Sequence, residues 1–186
     1  MPQISNPTLL VVAVVIVCAV VVVAWAISRK RRHERLRDRF GAEYDRTVNA
    51  VGTTGRADAV LEERERRVEK YHITPLDERQ RARFAEEWRR VQAVFVDDPA
   101  AAVTQADALV TEVMSARGYP MADFDRRVED LTVEHGSVVQ HYRAAREIAE
   151  RHARHAATTE DLRQALVHYR ELFADLLDGN AVRRTA

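Results

Sequence analysis

The stretch ITPLDERQRARFAEEWRRVQAVFVDDP, residues 73–99, decides the fold class. Its large apolar residues, Phe84, Trp88, Val91 and Phe95, recur three and four apart. That spacing makes one stripe on a helix, and no period-two alternation competes with it. The stretch also carries start and stop signals. Thr74 can cap, Pro75 suits the first helical position, and Asp77 completes a capping-box-like pattern. Asp98 and Pro99 then open a second helix.

Reading outward toward the carboxyl end, the same periodicity continues. After Pro99 the inward positions are Val103, Ala106, Leu109, Val110, Val113 and Met114, and Gly118 supplies a left-handed stop. A short helix near residues 123–131 contributes Phe124, Val128 and Leu131, and Gly136 breaks the chain. A helix from about Ser137 to His155 buries Val138, Val139, Tyr142, Ala145 and Ile148. Thr158 and Asp161 cap the last helix, which carries Leu162, Leu166, Tyr169, Phe173 and Leu176 and closes at Gly179. These five helices are enough for a compact all-α core over residues 72–180, with a tail at 181–186.

Toward the amino end the character changes. RADAVLEERERRVEKYH (56–72) is polar almost all round, with Glu62–Arg66 and Glu63–Arg67 at i,i+4 spacing. It is expected to be an exposed spacer helix. A coiled-coil dimer is the sharper alternative, but a sustained heptad is missing. Before it, residues 29–51 are expected to form one juxtamembrane helix, with Phe40, Tyr44 and Val48 on one face and GTTG (52–55) as its break.

Further back, Leu9 to Ile27 is a run of 19 residues without charge, glycine or proline, and nine of them are valine. At about 1.5 Å per residue this helix spans roughly 28 Å, one hydrocarbon core. Behind it stands a basic collar: Arg29, Lys30, Arg31, Arg32, Arg35, Arg37 and Arg39, against Glu34 and Asp38. A cleavable signal would need basic residues before a shorter apolar run. Here residues 1–8 carry none, and the arginines follow the run, where they resist translocation. Ala24-Trp25-Ala26 is the one feature that favours cleavage. The expected topology is an uncleaved single-pass anchor, with the short tail 1–8 outside and the helical domain in the cytoplasm of a bacterial plasma membrane.

Composition narrows the function classes. The formal net charge is zero, but the collar carries +5 and the remainder −5. An acidic domain lacks the basic face that nucleic acid requires. There are 27 arginines and two lysines, a bias typical of a GC-rich bacterial genome. The single cysteine, Cys18, sits mid-span, so it offers neither a disulfide nor a soluble nucleophile. Of seven histidines, His141, His152 and His155 lie along one predicted helix, but no third or fourth ligand is placed to meet them. No phosphate loop and no nucleophile elbow is present. No catalytic, cofactor-binding or metal-ligating residue is assigned. The collar doubles as a surface for anionic lipid.

RLRDRFGAEYDRTV (35–48), LEERERRVEK (61–70), EEWRRVQAVFVDDPAAAVTQADALVTEVMSARGYP (86–120) and TEDLRQALVHYRELFADLL (159–177) together resemble a family of actinobacterial-type single-pass membrane proteins with a helical soluble domain. The resemblance covers most of residues 35–177. It implies no catalytic residue, cofactor or activity. Gly136 stands where the family pattern would have proline. The expected function is a membrane-tethered docking or scaffold module. It is not an enzyme, it uses no cofactor or small-molecule substrate, and it works with the bilayer and a protein partner. Two other classes stay open: an extracytoplasmic binding domain behind a cleaved signal, and an enzyme whose site needs a partner or metal.

Overall fold

The computed structural model describes residues 6–121 and 123–178. Gly179 and the tail 181–186 lie outside the described residues, as do residues 1–5 of the amino-terminal tail. Eight helices and no strand make up the described chain: α1 (Asn6–Phe40), α2 (Ala42–Val51), α3 (Thr54–Val68), α4 (Glu78–Asp97), α5 (Pro99–Ala116), α6 (Phe124–His135), α7 (Val139–Ala153) and α8 (Thr159–Asp178).

Helices α4 to α8 share one apolar core. Phe84, Trp88 and Val91 from α4 meet Val103, Ala106, Val110 and Met114 from α5. Leu131, Tyr142, Ala145, Tyr169, Leu172 and Leu176 complete it from α6, α7 and α8. The Trp88 and Phe173 rings stack with centroids 4.8 Å apart. Fully burying a side chain of this size contributes about 1.5–3 kcal/mol relative to leaving it in water.

The local signals place most ends where the sequence puts them. Asp98 accepts from the Ala101 amide at 2.9 Å and starts α5. Thr158 and Asp161 close a reciprocal cap on α8. Gly118 takes φ +95, and a Cβ there would lie 2.2 Å from the His72 carbonyl oxygen. Only glycine fits that turn.

Two boundaries differ from expectation. The capping residue of α4 is Asp77, paired reciprocally with Gln80, and not Thr74. The Thr74 amide instead donates to the Arg117 carbonyl at 2.9 Å, and Leu76 is buried, so residues 72–77 run extended across the end of α5. Gly136 ends α6 as expected, and it does so in a right-handed conformation at φ −54. A Cβ there would be in ordinary contact with the Arg39 and Phe40 carbonyls at 3.9 Å, and its one tight neighbour would be the Thr132 carbonyl oxygen of α6 at 3.2 Å. Residues 29–51 are not one helix, because Gly41, at φ +50, ends α1 and turns the chain back.

That turn also sets how α3 is packed. Helix α2 folds back along α1, and α3 then runs beside α1 in the same direction: Arg32 pairs with Glu62, and Arg35 with Glu65. Helix α3 is therefore not an exposed spacer. Ala57, Asp58, Leu61, Glu65 and Val68 are buried. Leu61 and Val68 join Leu36, Phe40, Tyr44 and Val133 in a second, smaller apolar cluster. The face a coiled-coil dimer would use is thus covered within the chain. Neither expected i,i+4 pair forms, since Arg66 reaches Glu63 and Arg67 reaches Glu129 and Asp130.

Candidate functional site

Helix α1 joins two environments without a break. Its valines from Val11 to Val23, with Trp25 and Ile27, are uncovered by the rest of the described chain. Thirteen positions past Val23 on the same helix, Leu36 is fully buried. One helix here is long and apolar enough to cross a membrane.

The collar divides in two. Arg32, Arg35 and Arg39 face α3, where they bond to Glu62 at 3.2 Å and to Glu65 at 2.9 and 3.2 Å. Arg39 also donates to the Val133 carbonyl of α6 at 3.3 Å. These three are structural. Arg29, Arg31 and Arg37 make no ion pair with any described residue, and Lys30 reaches only the exposed Glu34 at 3.8 Å. The split follows from helical spacing: residues 32, 35 and 39 lie along one stripe.

Between the outward half of the collar and α3 lies a cleft of about 230 Å³, walled by Trp25, Ser28 and Arg29 on one side and Gly55, Asp58 and Glu62 on the other. A more open hollow wraps round Arg29 to Lys30, His33 and Thr54. The Arg29 guanidinium sits 5.5 Å from the Trp25 ring centroid. Deeper in, the Tyr44 hydroxyl donates to Asp58 at 2.8 Å, and His33 Nδ1 is 2.7 Å from that hydroxyl. Burial, then the hydrogen bond to Asp58, pushes the Tyr44 hydroxyl up to about 12.

Below the cleft, charged pairs join α2 and α3 to the rest. Glu43 is buried and accepts from Arg143 at 2.6 and 3.0 Å and from Arg64 at 3.1 Å. Burial works to raise its carboxyl, but Arg143 and then Arg64 outweigh it and hold the group below its ordinary range. Arg67 bonds to Asp130 at 2.8 Å and to Glu129 at 2.9 Å, and Tyr71 donates to Asp130 at 3.1 Å.

A second constellation was not legible in the sequence. Arg117 is wholly buried at the end of α5, and its Nη1 reaches His135 Nε2 at 3.2 Å and the Leu176 carbonyl at 3.2 Å. Arginine can only donate, so His135 Nε2 accepts and Nδ1 carries the proton, which it donates to Asp175. The C-terminal ends of α5, α6 and α8 converge on this guanidinium, so three sets of partial negative charge favour it. Its Nε and Nη2 have no acceptor among the described residues. Residues 117, 135 and 175 share no spacing, and each sits within a few residues of a helix end, so no pattern announces them. The group clamps three helix ends; Arg117 and His135 are sealed from solvent, and Asp175 is partly exposed.

The histidines singled out from sequence scatter. His141 pairs with His168 of α8, Nδ1 to Nδ1 at 3.0 Å, and not with His152 or His155. His155 takes a left-handed φ of +56 and ends α7. Burial, then the neighbouring His141, holds the His168 imidazole below its ordinary value. Among the described residues no group of three or more His, Cys, Asp or Glu side chains is placed to hold a metal ion.

No family model, curated protein or solved structure matches this chain.

Proposed function

We propose that the protein is a membrane-tethered helical interaction module that works without a chemical step of its own. Residues 9–27 cross the bilayer, the amino end lies outside, and the domain faces the cytoplasm. In this reading the chain is a transmembrane helix, a juxtamembrane pair (α2 and α3) packed back against its exit, and a five-helix bundle.

One observation carries the reading. The apolar half of α1 is bare on every face, while its basic half is built into the domain. A helix apolar all round needs cover, and lipid supplies it. Because α1 continues into the folded part, the domain is held by a stiff stalk, not a loose linker. Tethering of that kind raises the effective concentration of a docking surface toward other membrane proteins.

The test is topology. Alkaline phosphatase and a fluorescent protein are fused separately after Gly179 in a bacterial host, and membranes are washed with alkaline carbonate. Fluorescence without phosphatase activity, in a fraction that carbonate does not release, supports the reading. Phosphatase activity, or a mature chain beginning near Ile27, moves the domain outside.

A further inference from the structure

We propose that the cleft between α1 and the start of α3, together with the open hollow that shares Trp25, Arg29 and Asp58 with it, binds the phosphate of an anionic lipid headgroup, with Arg29 and, from the hollow, Lys30 as its cations and Trp25 as its apolar wall. This rests on reading α1 as a membrane helix. Depth is the first argument. Trp25 and Arg29 are one turn apart at the end of the apolar run, and Ile27 between them is still about half exposed. A helix inserted as far as Ile27 places the cleft at the headgroup layer, where tryptophan rings collect.

Charge is the second. Asp58 and Glu62 also line the cleft, but both are engaged. Asp58 accepts from Tyr44 and lies 3.5 Å from His33, and Glu62 holds Arg32 at 3.2 Å. Arg29 makes no ion pair with any described residue, and Lys30 reaches only the exposed Glu34 at 3.8 Å, a contact that an incoming phosphate can displace. Arg29 is held at the mouth by the Trp25 ring.

Space is the third. Gly55 forms part of the far wall, and a Cβ there would stand 3.4 Å from Arg29 Nη2. A Cβ at 55 would only touch the guanidinium, whereas a longer side chain would reach into the cleft. The amides of Thr54 and Gly55 begin α3 and have no intrahelical acceptor, so they add donors on that wall. The side-chain cations carry the site. Because the cleft opens beside a bare apolar helix, the phosphate is that of a lipid.

The full chain, purified in mild detergent, is reconstituted in nanodiscs of phosphatidylcholine containing phosphatidylglycerol, and retained lipid is counted by native mass spectrometry. The wild type is expected to retain phosphatidylglycerol in preference to phosphatidylcholine. With each basic contact contributing about five-fold, the double variant Arg29→Gln, Lys30→Gln should lose about twenty-five-fold. Gly55→Glu, which sets a carboxylate against Arg29, should also abolish the preference. Arg31→Gln is the control: it is at about the same depth but about 200° around the helix from Arg29, and should lose clearly less than the loss per cleft cation. A loss from Arg31→Gln equal to that of each cleft cation would show a diffuse collar and overturn the site. So would displacement of the lipid by soluble glycerol phosphate. Carbonate washing of vesicles separates the two readings. A chain released by carbonate breaks the anchor, while a chain retained without anionic preference breaks the cleft alone.

Discussion

The layer formed by α4, α5, α7 and α8 meets through rings and aliphatic side chains, while the layer formed by the end of α1 with α2 and α3 joins α6 and α7 largely through carboxylates and guanidinium groups. The first lies in one continuous cluster of 24 buried residues, to which α6 adds Val128 and Leu131 and the connecting segments add Leu76 and Tyr119. In the second, the buried cluster has six, and Glu43, Asp58, Glu65 and Asp130 are buried beside it. Removing a ring from the first leaves a hole. Removing one charge from the second leaves its partner stranded in a place built for a pair. The two layers should therefore fail under different stresses: the bundle by cavity formation, the membrane-proximal layer by loss of charge.

The largest test of that contrast is Trp88→Ala. Losing a ring stacked on Phe173 is expected to cost about 3–5 kcal/mol, read from denaturant unfolding followed by circular dichroism. A variant as stable as the parent would show that the bundle is not held by close packing.

Glu43→Gln follows. It leaves Arg64 and Arg143 without their shared carboxylate, and about 3 kcal/mol should be lost. Its pH signature sharpens the comparison. The folded carboxyl is held below its ordinary value of 4.5, so its contribution is whole above that pH and is lost as pH falls through the lowered value. The acid limb of the stability profile should flatten in the variant. An unchanged limb would mean that Glu43 does not couple the layers electrostatically.

Gly118→Ala probes the seam, where the turn after α5 touches the extended segment leading from α3 to α4. With a positive φ and the His72 carbonyl in the way, about 2 kcal/mol or more should be lost. A neutral result would show that the seam yields.

His168→Gln tests the bundle's own titratable spot. The folded imidazole sits below its ordinary 6.5, so its neutral form stabilises the fold above that pH. That contribution falls away as pH drops from 6.5 toward the lowered value. The wild type should lose stability over this window and the variant should not. Matching profiles would remove His168 from the acid response.

Arg35→Gln is the smallest. Arg35 is about half exposed, so its bond to Glu65 should contribute less than about 1 kcal/mol, and Arg39 still holds that carboxylate. A loss as large as that for Glu43 would erase the distinction between rim and interior pairs.

The all-helical class, the apolar helix with its basic collar, and most of the bundle's inward faces are legible in the residues alone. These are local properties. A stripe at spacing three and four, an aspartate before a helix or a glycine after one acts within a few residues. The tertiary structure decided how α3 is used. RADAVLEERERRVEK looks solvated because its inward positions include Asp58 and Glu65, which a polarity pattern counts as outside. Those carboxylates can be buried only because Arg35, Arg39 and Tyr44 come to them from other elements. The same holds for Arg117, whose burial depends on three helix ends that meet from distant points in the chain. Burial of an apolar group is written in that group's own chemistry, whereas burial of a charge is written in its partner's, and only folding brings the partner near.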